Sequence, residues 1–293
     1  MTSVSTLSNP SLNRTPPVFL SIGNYAKMRA SNRRAFMGDG TVKLHYEITF
    51  KNGRKISFPI ELKSDTLELI TRKPSDLPDW TQLTFHQCSH CPLDSKTHPR
   101  CPIAVNILAI AREFATNISY EEVHVSIQTQ PRSYARDISL QDALRSIFGI
   151  YMATSGCPVM DKLRPLVLTH LPFATIAETA YRSLSMYALA QCLIHKRGGK
   201  ADLEFKGLGE IYKAVEIVNR DFHRRLKSAG FSDASLNAIG NLNCYAQFTQ
   251  MTLEPERLKQ MENLFQAYYE GLKVVNHANP KHFNRPRLSD HSI

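Results

Sequence analysis

The stretch Leu44-His45-Tyr46-Glu47-Ile48-Thr49-Phe50-Lys51-Asn52-Gly53-Arg54-Lys55-Ile56-Ser57-Phe58-Pro59-Ile60 decides the fold. Leu44, Tyr46, Ile48 and Phe50 alternate with polar residues, and Ile56, Phe58 and Ile60 do the same. Alternation with a period of two places one apolar face on each strand. Asn52-Gly53 between them predicts a type I′ turn, whose two central residues both need positive φ. The reading is a β-hairpin with one buried face. Val123, Val125 and Ile127 predict a further strand of the same sheet. Short strands are also predicted around Leu67 and Leu69, and around Leu83 and Phe85.

From Ser139 onward the period changes from two to 3.6. Ser139-Leu140-Gln141-Asp142 is an approximate capping box, with Asp where Glu is usual. Helices are predicted from there to about Ser155, from Pro158 to about Leu168, and from Thr175 to Lys196 before Gly198-Gly199. The clearest stripe is Leu208, Ile211, Val215, Val218, Phe222 and Leu226, in steps of three and four. Helices from Asp233 and from Pro255 follow, the latter with Leu258, Met261, Phe265, Tyr268 and Leu272 on one line. Asn219, Asp221 and His223 fall beside the clean stripe and read as solvated. The expected class is α+β, an N-terminal antiparallel sheet region packed against a C-terminal helical bundle. Residues 1–38 read as a disordered basic arm and 39–138 as the sheet region with a cysteine-rich loop. Residues 139–275 read as the helical bundle and 276–293 as a flexible tail.

Charge narrows the partners. Of a formal +10, half sits on Arg14, Lys27, Arg29, Arg33 and Arg34, in an arm without one acidic residue. A duplex-binding domain carries its basic stripe on the folded body, so nucleic acid is disfavoured. No apolar run reaches the roughly 18–20 residues of a membrane span. The start has no charged segment leading into a long apolar one, which points away from export and toward the cytoplasm.

Six cysteines are present: Cys88, Cys91, Cys101, Cys157, Cys192 and Cys244. In a reducing compartment such thiols are free, catalytic or metal-bound rather than stapled. Cys88-Ser89-His90-Cys91-Pro92 is a C-x2-C step, and a third thiol follows at Cys101-Pro102. Gly156-Cys157-Pro158 repeats the Cys-Pro step much later. A C-x2-C turn can bring two sulfurs to one tetrahedral ion. Proline favours the first position of a helix, which would make Cys101 and Cys157 N-caps whose thiolates face free N–H groups. The expected metal ligands are therefore Cys88, Cys91, Cys101 and Cys157, with His86, His90 or His98 as local substitutes. The expected cofactor is structural zinc or an iron–sulfur cluster.

The alternatives are a thiol-based redox sensor or enzyme using Cys88 and Cys91, and a metal-free interaction protein with inert cysteines. A redox C-x2-C should open a helix in a βαβ pattern, and Pro92 with a polar loop fits that poorly. Cys192 and Cys244 sit inside apolar helices and read as core residues. His170 could be a general base or cap a helix C-terminus. Glu178, Tyr181 and Arg182 share one helical face, as a polar pocket or an ion pair. No Walker loop, G-x-S-x-G, H-E-x-x-H or G-x-G-x-x-G occurs, so the common nucleotide and hydrolase chemistries have no foothold.

Several segments together resemble a bacterial family defined by a domain of unknown function. They are His86-Gln87-Cys88 with Cys91-Pro92-Leu93, Cys101-Pro102-Ile103-Ala104-Val105-Asn106, and Met152-Ala153-Thr154-Ser155-Gly156-Cys157-Pro158. His170-Leu171-Pro172-Phe173-Ala174 and Ser185-Met186-Tyr187 complete the set. The resemblance spans about residues 42–260 and takes in all three Cys-Pro steps. It implies a bacterial cytoplasmic protein and brings no activity with it.

Overall fold

The computed structural model describes residues 40–70, 75–231 and 233–269. The expected arm and tail lie outside them. Four strands, β1 (Thr41–Phe50), β2 (Lys55–Lys63), β3 (Glu122–Thr129) and β4 (Ser133–Ser139), form one antiparallel sheet in the order β2-β1-β3-β4. The helices are α1 (Pro102–Glu113), α2 (Leu140–Ala153), α3 (Ile176–Lys196), α4 (Lys206–Ser228), α5 (Asp233–Thr252) and α6 (Pro255–Glu262). The class is α+β.

Alternation does its work across the sheet. Tyr46 stands opposite Phe58 on one side and Ile127 on the other, and Ile48 opposite Ile56 and Val125. Leu44, Tyr46, Ile48 and Phe50 are all buried, as are Ile60, Leu62 and the predicted Val123, Val125 and Ile127. The apolar sides of α1 (Ile103, Ile107, Ile110) and α2 (Leu144, Ile147, Phe148) are buried with them. Phe114 just past α1 meets Phe50 and Phe58 at ring distances of 6.4 and 5.8 Å.

The turn differs from the expected one. Phe50 and Arg54 close the hairpin (Phe50 N–H to Arg54 O, 2.9 Å), which leaves a three-residue loop. Only Gly53 takes positive φ, at 86°. Asn52 instead accepts the Arg54 N–H through its side chain at 2.9 Å. This is the three-residue alternative, in which glycine alone carries the left-handed residue.

The predicted short strands at 67–69 and 83–85 are reduced to isolated bridges, Leu62 with Leu69 and Gln82 with Arg100. The segment after Pro131, for which no strand is expected, is strand β4. As an edge strand it is largely exposed, so its sequence shows little apolar alternation. Residues 158–168 form a 3-10 turn (Met160–Leu163) and a single helical turn (Pro165–Leu168), because Pro165 removes an N–H in mid-segment. The stripe expected from Leu258 onward breaks near Asn263 and buries nothing among its described residues; Leu272 lies outside them.

Tyr46 is fully buried, and its hydroxyl bonds Ser146 Oγ at 2.9 Å and His170 Nε2. His170 thus reaches the sheet through its ring, while its N–H donates to the Val167 carbonyl at the end of the preceding helical turn. Burial pushes the Tyr46 phenol far above its ordinary pKa, so it stays protonated. Tyr46→Phe is expected to destabilise the protein by about 1–3 kcal/mol, the cost of removing a buried hydroxyl with two partners. Urea midpoints of the two proteins check this, and a neutral effect would mean that the hydroxyl adds nothing.

The described residues fall into two compact units. One is made of residues up to 174 together with 217–243; the other of 175–216 and those from 244 on. In the second unit Thr175 caps α3 in a full capping box with Glu178, which accounts for that residue as structural. Asp202 accepts the Tyr187 hydroxyl at 2.8 Å and the Gly207 N–H at 2.7 Å, and a side chain at Gly207 would collide with that hydroxyl. Cys192 and Cys244 are exposed, contrary to expectation. On α3 the buried line is Ala180, Ser183, Leu184, Tyr187 and Gln191, and Cys192 sits one step around from it. Apolar residues occur on more than one side of this helix, so the sequence does not mark which side is buried.

Candidate metal centre

All four candidate cysteines belong to the first unit. They come from three chain segments. Cys88 and Cys91 sit in the loop before α1, joined by a turn in which the Cys91 N–H donates to the Cys88 carbonyl at 3.0 Å. The loop is held at its base by Leu83 N–H to Pro99 O and Cys101 N–H to Thr81 O, at 2.9 and 2.8 Å. Cys101 is the N-cap of α1 with Pro102 in the first helical turn, as the Cys-Pro step predicts. Its side chain makes no capping hydrogen bond, but the N–H groups of Ile103 and Ala104 at the helix start favour its thiolate. Cys157 does not repeat the arrangement: the helical turn after it is Met160–Leu163, capped by Val159, so Cys157 and Pro158 lie before the helix start rather than at its cap. The N–H groups of Val159 and Met160 favour its thiolate, and its carbonyl accepts the Asp161 N–H at 2.9 Å. Gly156 supplies the approach with φ 85°, a conformation other residues rarely take.

The structure brings these four thiols into one neighbourhood. Cys88 feels the charges of Cys101, Cys157 and Cys91; Cys101 feels Cys91; Cys157 feels Cys101 and Cys91. Every pair among the four is within electrostatic reach. Among the described residues no three His, Cys, Asp or Glu side chains stand close enough together to hold a single metal ion. Of the histidine substitutes, His86 and His98 are exposed. Both ring nitrogens of His90 are buried and accept or donate no hydrogen bond.

Burial dominates the thiol chemistry. It pushes Cys88 from the ordinary 9.0 up to about 12, with the neighbouring thiols and Asp221 adding to the shift. It pushes Cys157 up to about 11 against the two N–H groups at its sulfur. Cys101 moves up too, against the Arg225 charge and its own two N–H groups. Without a bound cation these three thiols stay protonated at neutral pH. The unfolded chain releases its thiol protons near pH 8.5–9 while the folded chain holds them. Stability of the metal-free protein is therefore expected to fall by about 1–3 kcal/mol between roughly pH 9 and the folded values near 11–12. Denaturant midpoints of chelator-treated protein across that range check the sign; a rise with pH would mean that the fold favours thiolates on its own.

Asp221, expected in solvent, and Arg225 both lie near these thiols. Asp221 and Arg225 stand one turn apart on α4, and both are buried. Asp221 accepts the N–H and the hydroxyl of Ser89, between Cys88 and Cys91, at 2.9 and 3.2 Å. It also pairs with Arg224 at 2.6 Å. Burial raises its carboxyl, but these donors outweigh it and hold the group below the usual range. Arg225 is only 1% exposed. It donates to the carbonyls of Trp80, Gln82 and Leu83 at 2.8, 2.6 and 3.0 Å, and it faces Cys101, Cys88 and Cys91 electrostatically. Its Nε–H is buried without a partner. Asn219 and Asp221, expected in solvent, are 2% and 4% exposed. The signal was available: Arg225 lies three residues after Phe222 and seven after Val218, on the apolar stripe itself.

The match to a family profile spans residues 44–266. The chain belongs to the family described as Domain of unknown function (DUF6901). The matched region contains the whole thiol neighbourhood with Asp221 and Arg225, and also the Tyr46–His170 pair. No curated protein and no solved structure matches the chain. Among the described residues no helix is long and apolar enough to cross a membrane.

Proposed function

We propose that the protein is a cytoplasmic metal-binding protein in which Cys88, Cys91, Cys101 and Cys157 ligate a structural zinc ion or an iron–sulfur cluster. The observation that carries the reading is the mutual approach of four thiols from three distant segments. Cys88, Cys101 and Cys157, whose proton affinity is raised, gain most from a cation that replaces their protons. Thiolate ligands select zinc and iron–sulfur centres. The centre would tie the loop at Cys88 to the start of α1 and to the turn at Cys157. Its role would then be to fix this unit.

The competing redox reading is disfavoured by the same chemistry. A reactive cysteine needs a depressed pKa and access, whereas burial raises Cys88 to about 12. The test is elemental analysis of protein purified anaerobically without chelator, with an optical spectrum. Stoichiometric zinc or iron supports the reading. Metal-free protein that stays metal-free when offered either would overturn it.

A further inference from the structure

We propose that a cavity at the open end of β1 binds a small organic carboxylate, with Arg132 as the partner of the carboxylate group. The site shares no residue with the thiol neighbourhood.

Sheet register opens the site. β1 pairs with β2 from Thr41 on, but its pairing with β3 begins only at Leu44, opposite Thr129. The chain leaves β3 there and turns into β4 at Ser133. Among the described residues no strand therefore lies beside residues 41–43 on that side. A cavity of about 240 Å³ occupies the gap, walled by residues 42–44, by 129–132 with Tyr134, and by 167–170. At about 30 Å³ per water this is room for roughly eight waters, the scale of a small metabolite. All three walls belong to the first unit. Two of them are pinned. The Thr129 N–H and hydroxyl both donate to the Arg132 carbonyl, at 2.8 and 2.9 Å, and the Arg132 N–H donates to Thr129 Oγ1 at 3.1 Å. His170 is held by the buried Tyr46 hydroxyl, itself bonded to Ser146. Walls fixed in advance cost a ligand less ordering.

Charge and lining then name the class of ligand. Lys43, Arg132 and His170 line the cavity, and no Asp or Glu is among the described residues that do. A cleft lined by one sign of charge concentrates the opposite sign. Lys43 is engaged with Glu61 at 3.2 Å, in an exposed pair of a kind that contributes little. Arg132 forms no ion pair with any described residue. Its planar fork of donors matches a carboxylate with two parallel hydrogen bonds. The rest of the lining is largely hydrocarbon from Val42, Leu44, Val167 and Leu168, of which Leu44 and Val167 are buried. Apolar walls with cations among them suit an acid with an apolar body. A bare phosphate would leave those walls unfilled.

The experiment titrates benzoate and hexanoate into the full-length protein, labelled in its Leu and Val methyl groups for NMR. Benzyl alcohol serves as the uncharged counterpart and inorganic phosphate as the bare anion. The expected result is saturable shifts of the Val42, Leu44, Val167 and Leu168 methyls with either acid. A dissociation constant on the order of 1 mM is what ligands of about eight or nine heavy atoms allow. Arg132→Gln is expected to weaken both acids about tenfold, the loss of a hydrogen bond between charged groups. Arg132 is exposed and the turn is closed by its backbone, so the variant should melt with wild type. Absence of shifts at these methyls with either acid would overturn the site. Equal binding of benzyl alcohol would overturn the assignment to an anion, and equal binding of phosphate the need for an apolar body. Unchanged affinity in Arg132→Gln would remove Arg132 as the partner of the carboxylate.

Discussion

Cys101→Ser is expected to lower the melting temperature of the metal-loaded protein by roughly 6–12 °C, and that of the metal-free protein hardly at all. The substitution is chosen because serine is a good helix N-cap. A serine hydroxyl can accept a free N–H of the first turn, and the Cys101 side chain makes no capping hydrogen bond that would be lost, so the local start of α1 survives. What disappears is a soft ligand. Metal binding to a site absent in the unfolded chain is folding free energy, and losing one ligand of four is taken as about 3 kcal/mol, which at this size shifts the midpoint by the stated amount. Cys192→Ser is the control: Cys192 is exposed on α3, and surface changes of this kind stay within about 0.5 kcal/mol. The readout is the melting temperature of each protein with and without chelator. The decisive quantity is the difference between the loaded and stripped forms. If Cys101→Ser and Cys192→Ser were tolerated equally in the loaded form, Cys101 would not be a ligand.

How much of this was legible follows from which forces leave a mark in sequence. Period-two alternation is a backbone property, so the β1–β2 hairpin and β3 could be read directly, and so could the helix stripe through Phe222. The Cys-Pro step is local too: proline at the start of a helix puts the preceding thiol at the cap, and Cys101 is found there. Edge strand β4 has little to alternate against and left no such mark. The side of α3 that becomes buried could not be read because more than one side is apolar. Asp221 and Arg225 were missed for a different reason. A charged residue on an apolar stripe is ordinarily taken as its polar margin. Here the partners that make burial tolerable, Ser89 for Asp221 and the carbonyls of residues 80–83 for Arg225, lie more than 130 residues away in the chain. Helical periodicity carries no information about contacts at that separation. A lone arginine in register with Val218 and Phe222 is the pattern to notice.

Arg225→Met carries the second large effect, and it separates two roles of one side chain. Methionine matches much of the stem and removes the guanidinium. The carbonyls of Trp80, Gln82 and Leu83 then lose their donor, and an unsatisfied buried acceptor costs about 1–3 kcal/mol. Against this, a buried charge is itself expensive to desolvate, and replacing it with an apolar group recovers part of that cost. Three acceptors against one desolvation penalty leave a net loss of about 2–4 kcal/mol in the metal-free protein. The loaded protein should lose more, because the cation beside the thiolates has gone as well. Arg225→Lys divides the contributions. A single ammonium keeps the charge, but it cannot reproduce a planar fork that reaches three carbonyls. The lysine variant should therefore resemble methionine in metal-free stability and wild type in metal retention. Urea midpoints of stripped protein and chelator-driven release from loaded protein measure the two independently. If lysine and methionine lose metal equally fast, the guanidinium acts only through the carbonyls of the loop. If methionine costs nothing in the stripped protein, the clamp on residues 80–83 does not hold the loop.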